Sequence, residues 1–428
     1  MKILFQPTWI LPMILACTAR CSADLDVLHT WKYIDYVWDN DTQKEDAVAS
    51  GQYDATKIAI NDVQQLPDGR VLVTTPKYFD NPASLSVISN TSGDGGPLLE
   101  PYPSWSWHTT DGNSSSITSV NRVRVDQCNR LWIVDSGKIG NDQVSPARIL
   151  IFDPATDELL ECIEIPDELS HNPNDTSKGK LELQAVETEG DTCEKTWVYI
   201  GDLEGWGLLI YNGSDIWRID NDELFAPQEE YTTFSLNDKN VTLNTGVASM
   251  LILPDGFFRE KSTIFKPMAS EVGYGASVED LHNSFSGNEV RYYKTNFTAP
   301  SQELARDISS DGILIAGFPT VSVLVCWNIE WPLLDANVVT LQTSDEYLQF
   351  VSGVKITNGI QSGVEGDNVW VASIHLQQFI SGSLDITEDN YYILGGNVKT
   401  LVNGTRCQTG PRPLVDDLND KFFFSYSP

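Results

Sequence analysis

Short apolar runs along the chain are broken every few positions by Asp, Asn or Gly, and long helical periodicity is scarce. One unit recurs: an apolar strand end, a polar turn, then a short apolar strand that often carries Trp. The first copy is Leu66-Pro67-Asp68-Gly69-Arg70-Val71-Leu72-Val73, and the second is Val125-Asp126-Gln127-Cys128-Asn129-Arg130-Leu131-Trp132-Ile133. A third runs from Val186 through a longer turn to Thr196-Trp197-Val198-Tyr199-Ile200. The fourth is Leu253-Pro254-Asp255-Gly256-Phe257-Phe258, and the fifth spans Ile308 to Ile315 around Asp311-Gly312. The sixth starts at Ile356-Thr357-Asn358 and resumes at Asn368-Val369-Trp370-Val371.

The turns hold residues that reverse a hairpin, and the runs after them are β-branched or aromatic, as half-buried strands require. Successive copies start 48 to 67 residues apart, room for a four-stranded blade with loops. Arranging blades radially hides strand edges that would otherwise template aggregation. The pattern predicts an all-β, six-bladed β-propeller in a single domain. Glu279–Asn283 reads as a short helical turn, and no Pro-, Gly- or Ser-rich linker divides residues 24–428.

Residues 1–23 read as a secretory signal peptide. Lys2 precedes a mostly apolar stretch, Ile3 to Cys17, and Cys21-Ser22-Ala23 offers a cleavage point before Asp24. That run is short for a membrane span, and no later segment has about 18 uninterrupted apolar residues. The charge is lopsided, with 60 acidic against 28 basic residues and a formal net of -32. Such a surface repels phosphate backbones and anionic lipid, which argues against nucleic-acid and membrane partners.

Of seven cysteines, Cys17 and Cys21 fall in the leader. The remaining five allow at most two disulfides and one free thiol. Cys162 lies in the alternating run Leu159–Ile165 and reads as a buried thiol packing as a small hydrophobe. Sequons for N-glycosylation occur at Asn40, Asn90, Asn113, Asn174, Asn212, Asn240, Asn296 and Asn403, which predicts glycosylated surface loops.

Catalytic signatures are missing: there is no GxSxG, HExxH, GxxxxGK[ST] or EF-hand loop. Gly93-Asp94-Gly95-Gly96 precedes Pro97 rather than a helix and reads as a tight loop. The histidines His29, His108, His171, His282 and His375 lack metal-ligand spacing. A propeller channel can gather carboxylates around Ca²⁺, with candidates near Asp126, Glu187 and Asp307, but solvated turn residues are the preferred reading of these. No metal and no cofactor is assigned. Most of the Trp and Tyr residues read as blade packing, with a few left to line a ligand pocket.

Several stretches resemble a known family. They are Trp31-Lys32-Tyr33-Ile34-Asp35-Tyr36, Pro82-Ala83-Ser84-Leu85, and Gly93-Asp94-Gly95-Gly96-Pro97-Leu98-Leu99-Glu100-Pro101-Tyr102-Pro103. Asp126 to Gly137, Cys326-Trp327-Asn328 and Gly404-Thr405-Arg406-Cys407 complete the set. Together they resemble the insect major royal jelly protein/yellow family, and the proline-rich stretch is most similar to the royal jelly branch.

The resemblance implies a six-bladed propeller, in agreement with the repeats, and disulfides Cys128–Cys193 and Cys326–Cys407, leaving Cys162 free. It implies a secreted, extracellular glycoprotein with a nutritional, storage or small-ligand role, and leans away from an enzyme. The alternatives it offers are a yellow-type enzyme that converts dopachrome or a related catechol, and a carrier of an amine or sterol. In salivary relatives, amines bind at the channel mouth through Thr, Asn and Phe side chains. The matching positions are Gly353, Ile374 and Leu376, so the resemblance implies that those polar contacts are gone. A small molecule in the propeller channel is the expected partner, and the sequence assigns no oligomeric state.

Overall fold

The computed structural model describes residues 24–108, 116–361, 364–408 and 423–427. The candidate leader and the sequon at Asn113 lie outside them. Six antiparallel sheets of at least four strands succeed one another as blades. Their inner strands are Asp62–Gln65, Val120–Val125, Leu181–Glu189, Val247–Ile252, Arg306–Ile308 and Val351–Gln361. Each packs against the next around the axis, and the inner strand of blade 6 packs against that of blade 1.

The sequence repeats sit at the first hairpin of each blade. In blade 1, Asp62–Gln65 and Val71–Thr74 flank the Pro67–Arg70 turn; in blade 5, Arg306–Ile308 and Ile313–Phe318 flank Ser309–Gly312. Two copies differ from expectation. Phe257-Phe258 does not begin a strand: the second strand of blade 4 starts at Ser262, and buried Phe257 packs into the core between blades 4 and 5. In blade 6 there is no turn at Asn358. The strands Val351–Gln361 and Val364–Ile374 run on together, pairing Asn358 with Asp367. Asn368 Nδ2 donates to the carbonyls of Gly359 (3.0 Å) and Gly366 (2.8 Å), so polar residues extend the ladder.

The ring is closed by the N-terminal strand of the described fold. Asp26–Trp31 forms the outermost strand of blade 6, antiparallel to Tyr391–Asn397. A C-terminal strand, Phe423–Ser427, pairs with Tyr292–Thr295 at the edge of blade 4. The buried apolar residues form six clusters, one for each contact between neighbouring blades. Trp132, Ile149, Leu183 and Val198, for example, fill the gap between blades 2 and 3. Each sheet buries both faces, which explains why its strands are more continuously apolar than a one-sided sheet needs.

The Gly93–Gly96 segment is a tight hairpin with Gly93 paired to Gly96. The short helix foreseen at Glu279–Asn283 spans Val278–Asn283. A ten-residue helix, Asp41–Ser50, was not foreseen, because it carries no apolar stripe and buries only Ala47. Its ends explain it instead. Asn40 Oδ1 accepts from Gln43 N at 3.0 Å, Gln43 Oε1 accepts from Asp39 N at 2.7 Å, and Gly51 ends it in the left-handed region. Among the described residues no helix is long and apolar enough to cross a membrane.

Disulfides join Cys128 to Cys193 and Cys326 to Cys407. The first ties the hairpin turns of blades 2 and 3; the second ties blade 5 to the segment that follows blade 6. Cys162 is free, but it is exposed rather than buried. It lies on Glu158–Glu164, the outermost strand of blade 2, where Leu159 packs against the core shared with blade 1, Ile163 packs against the core shared with blade 3, and Leu160 and Cys162 are exposed. A bulge here pairs Leu159 with Phe152 and Ile163 with Ile149, and no residue of this outermost strand is fully buried, so its alternation does not hide Cys162.

Candidate ligand cavity at the channel mouth

One end of the channel opens into a cavity of about 790 Å³. Loops that enter inner strands or leave second strands supply its walls. Leu203, Met268, Leu304, Phe350, Ile374 and Leu376 form an apolar surface, with Phe79 and Ile380 at the exposed rim. Tyr78 and Phe79 both make edge contacts with Phe379, at 6.3 and 5.8 Å between ring centroids.

The polar side of the cavity comes from blade 3, from Asn61 and Asn141, and from Glu229, Thr232, Thr242, Asn244 and Thr245 ahead of blade 4. Lys180 Nζ sits 4.4 Å from the centre of the Tyr78 ring, and Lys178 Nζ sits 4.9 Å from that of Trp206. Burial pushes the Lys180 ammonium below the ordinary lysine range. Tyr78 donates to Asn61 Oδ1 at 3.3 Å, and Asn61 Nδ2 donates to the Asn121 carbonyl at 2.9 Å. Burial, reinforced by the Glu182 charge, raises the Tyr78 phenol. Trp206 adopts φ 57°, and its indole N–H is buried with no partner among the described residues.

Below the cavity the channel is closed by paired charges. Arg122 Nε donates to Glu182 Oε1 at 2.6 Å, and its Nη2 donates to the carbonyls of Leu304 (2.9 Å) and Ser352 (3.0 Å). Arg122 also lies 3.8 Å from Asp62, which Lys355 approaches to 2.9 Å. Burial lowers the Lys355 ammonium, and the Asp62 charge opposes this. The network joins blades 1, 2, 3 and 6 and leaves its carboxylates held by cations. Among the described residues no histidine or cysteine lines the cavity. Its chemistry is an apolar wall, aromatic faces, the ammonium groups of Lys178 and Lys180, the carboxylates of Glu182, Glu204 and Glu229, threonine hydroxyls, amides and an indole donor with no partner among the described residues.

Ile374 and Leu376 both line this cavity, and neither offers a polar contact. Gly353 does not line it. A Cβ there would meet Asp62 Oδ1 at 2.7 Å and Asp62 Cα at 2.9 Å, so glycine lets the inner strand of blade 6 pass close to blade 1. Asp126, Glu187 and Asp307 are not brought together, nor are they solvated: each is buried at 8%, 3% and 3% exposure. Asp126 accepts from Cys128 N (2.9 Å), Arg130 Nε (2.7 Å) and Trp132 Nε1 (2.8 Å). Asp307 pairs with Arg124 at 3.2 Å, and Glu187 with Tyr199 at 2.7 Å and Lys261 at 3.0 Å. A buried carboxylate must be paired, and protein cations do it in these cases. Among the described residues no cluster of three His, Cys, Asp or Glu has metal-binding geometry. Of the seven described sequon asparagines, Asn212 is half-buried and Asn40, Asn90, Asn174, Asn240, Asn296 and Asn403 are exposed.

Sequence reading missed Lys178, Lys180, Tyr78 and Trp206, which lie in loops of different hairpins. One local signal was present: Lys178-Gly179-Lys180, two cations in a strongly acidic chain, immediately before an inner strand.

A closed six-bladed ring with an apolar cavity at one mouth and a charge-plugged axis defines a β-propeller whose blades have at least four strands each. Comparison with known proteins places it more narrowly. Residues 118–407 match the family model described as "Major royal jelly protein", and the chain belongs to that family. It is similar to major royal jelly protein 9 of Apis mellifera, 33% identical over 89% of this chain and 90% of that protein. Major royal jelly protein 8 of the same bee is 34% identical over 93% of this chain and 99% of its own length. Among solved structures, virginiamycin B lyase from Staphylococcus aureus aligns at a TM-score of 0.40 and 10% identity, covering 80% of this chain and 96% of its own. That likeness is too distant to bear on function.

Proposed function

We propose that this chain is a secreted, N-glycosylated, non-enzymatic protein of the royal jelly type that holds a small amphipathic molecule in its mouth cavity. The cavity carries the reading: it lies within the volume range of small-molecule sites, is mainly apolar, and offers a few converging polar groups. The unpaired Trp206 donor is the kind of buried group that a bound molecule satisfies. Glu182, a carboxylate that lines the cavity, is engaged by Arg122 instead of being poised as a base. Secretion is supported by the leader pattern of residues 1–23, by two disulfides and by exposed sequons.

A thermal-shift and calorimetric screen of sterols, catechols and amines tests the binding role. The expected result is a rise in Tm with one of these classes and no turnover of dopachrome. Turnover at enzymatic rates overturns the non-enzymatic reading; a screen with neither heat nor shift leaves storage as the function.

A further inference from the structure

A second concavity lies outside the mouth cavity, between the helix Asp41–Ser50 and blade 1. It encloses about 490 Å³ and is lined by Trp38 and Trp105 with Gln43, Asp46, Ser50 and Gln52. The two indoles stack with centroids 5.1 Å apart and planes at 20°. Their N–H groups point away, to Asp35 Oδ1 (2.9 Å) and the Val37 carbonyl (3.0 Å), so the rings present faces and not donors. Asp46 and Gln52 make no side-chain hydrogen bond among the described residues. The polar helix is held as a wall: Lys44 bridges to Asp35 at 2.6 Å, and Tyr53, beyond its C-terminus, donates to the Ile34 carbonyl at 3.0 Å.

Rigid aromatic faces beside free amide and carboxylate groups are the chemistry that takes a sugar ring. A pyranose lays its C–H face on an indole and hydrogen-bonds its hydroxyls at the edge. The sugar is supplied by the chain itself. Gln43, Ala47 and Ser50 lie three and four residues apart on one helix face and line the concavity, and Asn40, outside the lining, is the N-cap three residues before Gln43. Asn40 is a sequon asparagine in Trp38-Asp39-Asn40-Asp41-Thr42, two residues after a platform tryptophan. Its Oδ1 is used by the helix cap, its Nδ2 has no partner among the described residues, and the residue is exposed.

We propose that the N-linked glycan of Asn40 folds back so that its first N-acetylglucosamine residues pack on Trp38 and Trp105. This rests on the reading of the protein as secreted and glycosylated. In the modification, Asn40 Nδ2 loses a proton and bonds to C1 of the first sugar, while the bond from C1 to the diphosphate of the lipid-linked donor breaks. The cap survives, because Oδ1 still accepts from Gln43 N. This sugar becomes part of the fold at a helix that has almost no apolar face of its own.

The full chain, expressed in a secreting insect cell, provides the test. Glycopeptide mass spectrometry measures occupancy at all eight sequons, and peptide-N-glycosidase, which cleaves at Nδ2, measures access in the native state. Asn40 is expected to be occupied and to release its glycan about tenfold more slowly than Asn174 or Asn240, and Trp105→Ala should abolish the difference. Thr42→Ala and Asn40→Asp remove the sugar and leave a capping side chain, so they stay readable if Trp105→Ala folds poorly. Each should lower Tm by about 1–3 °C, and by nothing further in a Trp105→Ala background. If other sequons are occupied and Asn40 is empty or released as fast as they are, the proposal is overturned alone. If no sequon carries sugar, it falls together with the glycoprotein reading.

Discussion

Arg122 and Glu182 meet at 2.6 Å in the axis of the ring, with side chains 6% and 3% exposed. The pair joins blades 2 and 3 beneath the cavity, and the guanidinium also faces Asp62 at 3.8 Å. Removing one partner of a buried pair strands a charge, which costs about 3–5 kcal/mol. Arg122→Met should therefore lose about that much stability in equilibrium chemical denaturation, and adding Glu182→Met should restore part of it. A loss under about 1 kcal/mol would show that water reaches the channel and screens the charges.

Acid should destabilise the protein through His108. Burial, helped by the nearby Lys77 charge, lowers its pKa from 6.5 to about 3. The folded state keeps the imidazole neutral, while the unfolded chain binds a proton below 6.5. Its contribution is thus complete above pH 6.5 and is lost progressively as pH falls toward 3, at up to about 1.4 kcal/mol per pH unit. His108→Gln should flatten this part of the stability profile, measured as denaturation midpoints between pH 7 and pH 4. An unchanged slope would assign the acid sensitivity to the carboxylates alone.

Gly353→Ala should cost about 1–3 kcal/mol, because the added methyl meets the Asp62 backbone as well as its carboxylate. Ligand affinity should change far less than with Leu376→Trp, which fills the cavity directly. Denaturation of both variants, with calorimetry on a hit from the screen, separates a packing role from a lining role. Equal loss of affinity in the two variants would return Gly353 to the ligand site.

Native protein beginning at Asp24 should show one thiol per chain to an aromatic disulfide reagent, and Cys162→Ser should show none. Burial, though partial, raises the Cys162 pKa, so labelling at neutral pH should be slow and should speed up with pH. A thiol that reacts only after denaturation would restore the buried assignment.

The blade count was legible because hairpin turns and apolar strands are local. Leu66 to Val73 and Ile308 to Ile315 carry both signals within eight residues. The register of blade 6 was not, since Asn358 and Asp367 look like turn residues but pair across a long hairpin. The Asp41–Ser50 helix was invisible to a search for apolar periodicity, because its caps and tethers stabilise it, not a buried stripe. For the candidate site, Ile374 and Leu376 were placed through family resemblance, whereas Lys180, Tyr78 and Trp206 were not found at all.

What the sequence by itself determined is the repeating strand unit, the acidic surface, the leader pattern and the cysteine arithmetic. Each is written in neighbouring residues or in simple counts. Only the tertiary structure decided that Asp26–Trp31 closes the ring on Tyr391–Asn397, that Arg122 neutralises Glu182, and that Asp126, Glu187 and Asp307 go to separate cations. It also turned Cys162 outward and walled the cavity with loops from several blades. A propeller brings together residues that lie a blade or more apart in the chain. Partners chosen across the axis or between blades leave no spacing for a linear pattern to reveal, and their pairing follows from the cost of burying charge once the ring has closed.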